Sequence, residues 1–359
     1  MAMPGSTITD ISAGAAQTIG RYFSVISVVP SSLYVTFVYL LIASGSWAHP
    51  PDWRQAFSSI EHPGISGIAF IAFVSIGLGI IIHPIQFAIV QFLEGYWGVG
   101  RVALSFRAQR ILRYQEICET LERRQDSAGK VLNDWKAAGV KTTARSRVRF
   151  NAQYFEAKRV RDTAFPPFFD QIMPTRLGNM LRRAEVQAGS QYGMNALQSV
   201  PHLLMIAPEK HVSYVNDQRT LLDLAVRMTF LSAAATITAV LFLWPYGLWT
   251  LVALFPYSIT YLSYRGGIVA ARHYGSAISL LINLNRFRLY EELHLPLPAT
   301  TEDERDLNKS LNKLFAYDVD EDVRYKHPVA DDGIDAAVDA QAETSGGALQ
   351  LSTPPETGT

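Results

Sequence analysis

The chain has 359 residues in which 32 Lys+Arg offset 32 Asp+Glu, with 48% hydrophobic and only 18% charged residues. Soluble domains carry about a quarter charged residues. The shortfall, with 24 Gly, 18 Pro and a mean hydropathy of +0.09, excludes a disordered, collagen-like or disulfide-rich secreted chain and leaves a membrane protein open.

Residues 1–20 contain no Lys or Arg and carry Asp10, which does not suit the n-region of a signal peptide, so the first apolar run is read as a retained helix. Residues 22–48 hold no charge, and the first transmembrane helix is expected over about 30–48, entered at Pro30. A second uncharged run predicts a span over 64–92. Residues 228–264 form a third, interrupted by Trp-Pro-Tyr-Gly at 244–247. One helix of that length would exceed a bilayer core, so two helices joined at the Pro-Gly turn fit better than one, with a re-entrant hairpin as the alternative. Trp244, Tyr246 and Trp249 at the bend match an interfacial aromatic belt.

Arg54 is the one basic residue between the first two spans, whereas Arg101, Arg107, Arg110 and Arg113 follow the second, and Arg265 and Arg272 follow the last. The positive-inside rule then places residues 94–225 and both termini in the cytoplasm. The zero net charge is a cancellation, with residues 1–93 at −1, 94–225 at +7, 226–290 at +5 and 291–359 at −11.

Within 94–225, Ile111, Tyr114, Ile117 and Leu121 recur at helical spacing, and Gly129 and Gly139 punctuate the pattern. Further helices are expected over about 145–163, ended by Pro166 and Pro167, and from Pro174 onward, with Leu177, Met180, Leu181 and Ala184 on the apolar face. The Pro-bounded segment 201–208 reads either as a buried turn of helix or as an interfacial segment. Residues 265–293 read as a helix, 302–315 as a short amphipathic one, and 329–359 as a disordered acidic tail. The fold class expected is an all-α membrane protein, with four transmembrane helices in two pairs and a helical cytoplasmic domain inserted between them.

No phosphate-cradling loop, zinc motif, nucleophile elbow or Cys/His ligand set occurs, so no catalytic residue, metal or cofactor is assigned. Cys118 cannot form an intramolecular disulfide and reads as an inert, partly buried thiol. His83, inside the second run and before Pro84, is either a membrane-depth functional group or a cap on carbonyls that Pro84 frees. Glu94, in Glu-Gly-Tyr-Trp-Gly, is an interfacial anchor or a functional carboxylate. The basic run Lys141, Arg145, Arg147, Arg149, Lys158, Arg159 and Arg161, interleaved with Phe150, Tyr154 and Phe155, suits anionic headgroups at the cytoplasmic leaflet first, a solvated face or contact with the acidic tail second, and nucleic acid least. Arg176 sits at a helix start where it could meet an anion, although such segments are more often packed helix N-termini.

The phrases HPIQFAIVQFLEGYWG from His83 and MPTRLGNMLRRAE from Met173, followed by YGMNAL, WPYG and FRLYEELHLPLP, resemble a group of bacterial integral membrane proteins without an attached activity. The resemblance covers residues 83–298; it implies a shared fold and supplies no catalytic residues. These readings combine into a bacterial inner-membrane protein whose cytoplasmic domain binds a protein partner or ligand, or a second copy, and couples that event to the membrane helices. A pore-forming oligomer, with Ser232, Ala233, Ala234 and Ala235 lining or packing the pore, is the second expectation. A lipid-directed enzyme is the third.

Overall fold

The structure is a computed structural model that describes residues 24–61, 65–139, 143–317, 323, 325 and 326. The first 20 residues, His62, Lys141 and the acidic tail 329–359 lie outside the described residues. Among the described residues there are helices and no strand. Three stretches are long and apolar enough to cross a membrane: Ile26–Ala43, Gly67–Glu94 and Glu209–Glu292.

Helix α1, Val29–Ala43, follows a π-helical turn, Ser24–Val28, and carries Pro30 in its first turn, where a missing N–H costs little. It ends where the Ser44 and Ser46 hydroxyls donate to the Leu41 carbonyl at 2.8 and 2.6 Å. Helix α2, Trp53–Glu61, lies in the connection, and its Trp53 ring stands 6.1 Å from that of Trp249. Helix α3, Ile65–Glu94, is about 45 Å long and runs through Pro84. It approaches the π-turn closely at Gly79, where a Cβ would meet the Ser27 carbonyl at 3.3 Å.

Two long helices, α4 (Arg101–Ala137) and α5 (Ala144–Ala164), then pair along their lengths as a hairpin. Gly129 does not punctuate α4, because the helix continues through it and places Tyr154 of α5 against that position. Gly139, at φ +61°, does end the helix. The buried stripe of α4 also differs by one residue from the expected one: Tyr114 and Cys118 pack with Phe165 and Ile172, while Ile117 is exposed. Helix α6, Arg176–Gln187, and helix α7, Ala196–Ile206, come next. The segment 201–208 is therefore mostly helical, with its Leu203 fully buried.

Helix α8, Glu209–Leu243, and helix α9, Leu254–Glu292, form an antiparallel pair. Ser232 meets Thr260, Ala225 lies against Gly267, and His211 meets Asn285, so contacts run in opposite chain directions along the pair, with the register shifted by one helical turn at the His211 end. Their connection, Trp244–Ala253, leaves helical geometry at Tyr246 and Gly247, the latter at φ +60°. At about 52 and 58 Å the two helices are far longer than a bilayer core, and each has an apolar half near the connection and a charged half beyond it. No new helix starts at residue 265, since α9 is continuous from Leu254 to Glu292. Helix α10, Thr301–Phe315, opens with a capping box between Thr300 and Asp303.

Burial divides by environment. On the apolar halves, Phe70, Phe73, Ile81, Phe87, Leu241, Phe255 and Leu262 turn outward, the pattern expected of helices solvated by hydrocarbon. The largest core contains Ala188, Leu203, Val215, Leu281, Ile282, Tyr290 and Leu311, so residues preceding α8 share one core with residues from α9 and α10. A second core joins Ile82 and Ile89 of α3 to Leu177 and Met180 of α6 and to Leu222, Val226 and Ala271 of the long pair.

Candidate functional site

The second core is closed by the start of α6, which is fastened to three other segments. Thr175 is the N-cap: its Oγ1 accepts from the Gly178 amide at 2.9 Å and donates to the Glu94 carbonyl, at the end of α3, at 2.9 Å. The Leu177 amide donates to the Tyr264 hydroxyl of α9 at 3.4 Å. Asn179, fully buried, accepts from the Met173 amide at 2.8 Å and donates to the Met173 and Thr175 carbonyls, each at 2.9 Å.

These approaches explain the glycines. A Cβ at Gly178 would overlap the Glu94 carbonyl oxygen and stand 3.0 Å from both Met173 Cβ and Thr175 Oγ1. Gly95 is at φ +109°, and a side chain there would overlap Pro174. At the far end of α6, a Cβ at Gly275 of α9 would overlap Ala184. The two phrases EGYWG and MPTRLGN are thus the two halves of one clasp.

The clasp continues into the hairpin. Arg161 of α5 is buried; it pairs with Glu122 of α4 at 2.9 Å, donates to the Pro166 and Pro167 carbonyls at 2.8 and 3.0 Å, and lies over the Phe169 ring. Gln115 donates to the Phe169 carbonyl at 3.2 Å and Arg110 to the Pro174 carbonyl at 3.4 Å. The strap 165–174 is therefore held by the hairpin on one side and runs directly into the α6 N-cap on the other.

A polar cluster lies deeper. Arg227 of α8, 1% exposed, donates from Nε to Gln86 Oε1 of α3 at 2.9 Å, and from its terminal nitrogen to the Ile26 carbonyl at 3.3 Å and to the Ser27 hydroxyl. Gln86 in turn donates to the Asp223 carbonyl at 3.3 Å. One guanidinium thus joins α8 to α3 and to the π-turn that leads into α1. Sequence reasoning missed it because Arg227 flanks the uncharged run and looked like its boundary. The available signal was Gln86, a polar residue within the long uncharged run of α3.

The expected site residues fall in different places. Glu94 is brought to the clasp, where Arg182 and Glu185 of α6 act on its carboxylate. Burial pushes the Glu185 carboxyl above the usual carboxylate range, against the opposing effect of Arg182, 3.1 Å away. His83 is exposed on the outer face of α3, with its neighbour Ile82 in the core. Arg145, Arg147, Arg149, Lys158 and Arg159 are exposed on α5, and Arg159 pairs with Glu156 at 2.7 Å. Arg161 is not on that surface, because its charge is used inside the hairpin. Phe150 and Tyr154 pack against α4, Phe150 edge-on to Trp135 at 5.1 Å, and Phe155 is exposed. Lys141 lies outside the described residues.

Arg176 is exposed, but the three amides following it are spent on Tyr264, Thr175 Oγ1 and the Thr175 carbonyl, so those three are not offered to an anion. Ser232 and Ala235 are buried within the α8–α9 pair, where they pack one protomer. Burial pushes the Cys118 thiol up to about 11, beyond reach as a nucleophile near neutrality. Helix α10 is fixed by Glu304, whose carboxylate accepts from Arg286 at 2.8 Å and from the Tyr290 hydroxyl at 3.1 Å, and by Asn308, which donates to the Tyr192 carbonyl at 2.9 Å. No group of three metal-ligating side chains occurs among the described residues. Comparison with protein-family models, curated proteins and solved structures gave no match.

Proposed function

We propose that this protein is a four-span protein of the bacterial cytoplasmic membrane that passes the state of a cytoplasmic helical hairpin to its membrane helices. In this reading the apolar halves of α1, α3, α8 and α9 cross the bilayer. The 244–253 turn lies on the outer side, and the hairpin, α6, α7, α10 and both termini lie inside. The exposed arginines and lysines of α5 then face anionic headgroups or a protein partner.

The observation that carries the reading is the clasp. The route from hairpin to membrane consists of Arg161, the strap 165–174 and the α6 N-cap, and that cap bonds directly to the last carbonyl of α3. Gly178 leaves no slack at the contact, so a shift of the strap must move the end of α3 or break the cap.

The test is hydrogen–deuterium exchange of the full chain in lipid nanodiscs, wild type against Arg161→Ala. Faster exchange in residues 91–96 and around Tyr264, as well as in the hairpin, supports coupling. A change confined to the hairpin refutes it.

A further inference from the structure

Alongside the tight crossing of Ala184 and Gly275, a groove of about 340 Å³ runs between α6 and α9. It lies apart from the clasp, and its walls carry Arg183 and Gln187 from α6 and Arg272, Ser276, Ser279 and Asn283 from α9. Neither Arg183 nor Arg272 has a carboxylate within ion-pair distance among the described residues.

Two guanidinium groups without a carboxylate in ion-pair distance line one small groove, where their field favours an anion over a cation. Partial burial first, and then the Arg272 charge, lower the affinity of Arg183 for its proton, and the Asp162 carboxylate of α5 opposes this. Arg183 donates from Nε to the Asp162 carbonyl, which fixes the side chain and leaves its two terminal amino groups. Asn283 accepts from Gln191 at 3.1 Å, which orients its own amide NH₂ as a donor. Ser276 and Ser279 bond to their own helix at 3.1 and 3.0 Å, and their hydroxyls can turn to a ligand at small cost. The donor set is thus two forks of N–H groups, amide donors and hydroxyls, the chemistry that fits a phosphate's oxygens.

We infer that this groove binds a soluble phosphorylated small molecule. The volume lies at the lower end of small-ligand pockets, enough for a phosphate and a compact polar group attached to it. A lipid phosphate offers the same chemistry, and position decides between the two. On α9 the groove runs from Arg272, 7 residues or about 10 Å past Arg265, to Asn283, 18 residues or about 27 Å past it. If Arg265 marks the inner edge of the hydrocarbon, the groove begins just beyond a headgroup layer of about 5–8 Å and extends away from it. This choice of source rests on the four-span reading; the phosphate chemistry does not, and neither requires the clasp to transmit anything.

The test uses the detergent-solubilised full chain and titration calorimetry with glucose 6-phosphate, inorganic phosphate and glucose. Native mass spectrometry scores added phosphatidylglycerol against phosphatidylcholine. The expected result is binding of both phosphate probes and not of glucose, weakened at least about tenfold by Arg272→Gln and by Arg183→Gln. Arg288→Gln, whose side chain instead faces Glu292 at 3.8 Å, should bind as wild type does. Arg272 is exposed and unpaired with acid, so its variant should fold and decides the question if Arg183→Gln does not. Absence of binding by both phosphate probes, or equal binding by the folded variants, overturns the site. Retention of phosphatidylglycerol alone, lost in Arg272→Gln, overturns the soluble ligand in favour of a lipid.

Discussion

Replacing Gly178 with alanine puts the clasp under a direct load. In an exposed helix this change stabilises by up to about 1 kcal/mol, because alanine loses less backbone freedom. Here the new methyl overlaps the Glu94 carbonyl oxygen, a backbone atom that cannot rotate away, and crowds Met173 and Thr175 at 3.0 Å. Relief requires α6 and α3 to separate, and the 2.9 Å Thr175–Glu94 hydrogen bond is stretched by the same movement. Overpacking of this kind costs about 1–3 kcal/mol and the hydrogen bond about 1 kcal/mol more, so the propensity gain is outweighed and the net loss is about 1–3 kcal/mol. The matched control is Gly266→Ala, on α9 with open space around its Cβ position, which should be neutral or stabilising. Thermal unfolding of both purified variants in the same detergent makes the comparison. If Gly178→Ala unfolds at or above the wild-type temperature, the contact is not the rigid joint described.

Further outcomes follow from the same geometry. Asn179→Leu keeps the volume but strands the Met173 amide and two carbonyls in a buried site, and should cost about 2–4 kcal/mol in unfolding measurements. Arg227→Lys should be nearly as destabilising as Arg227→Ala, because one ammonium cannot reach Gln86, Ile26 and Ser27 as the guanidinium fork does; full rescue by lysine would contradict that assignment. Glu185, with its pKa raised by burial, contributes stability that is present below the unfolded value of about 4.3 and is lost as pH rises through the folded value. Glu185→Gln should therefore gain on the wild type as pH rises from 4 to 8 and converge with it at the acid end, as read by unfolding temperature. Cys118 should resist iodoacetamide at pH 8 until the α4–α5 hairpin opens, so native labelling at the rate of a free thiol would argue against the buried placement.

Much of the architecture was legible because it depends on patterns with a single physical reading. Uncharged runs of bilayer length, the Pro-Gly break at 245–247, the double proline that ends α5 and the acid-rich start of α10 each state where a helix begins or stops. Gly129 misled because a lone glycine only weakens a helix, and packing against Tyr154 holds α4 straight through it. Arg161 was grouped with its basic neighbours because charge runs show sign and not direction; only the fold reveals that it points inward to Glu122 and the strap carbonyls. The clasp itself could not be read from sequence, since Glu94 and Thr175 lie 81 residues apart and what joins them is a backbone carbonyl that every residue possesses.

The four-span arrangement requires the two ends of the long helices to face opposite sides of a bilayer. The most direct measurement is single-cysteine labelling in spheroplasts with a membrane-impermeant maleimide, at positions exposed in the fold: Trp47→Cys and Leu248→Cys near the outer turns, Arg124→Cys on the hairpin and Arg305→Cys on α10. Labelling of Cys at 47 and 248 from outside, with 124 and 305 reacting only after permeabilisation, is the predicted result. Protection of position 248 until permeabilisation, or labelling of 124 in sealed spheroplasts, would contradict the four-span arrangement and the coupling built on it.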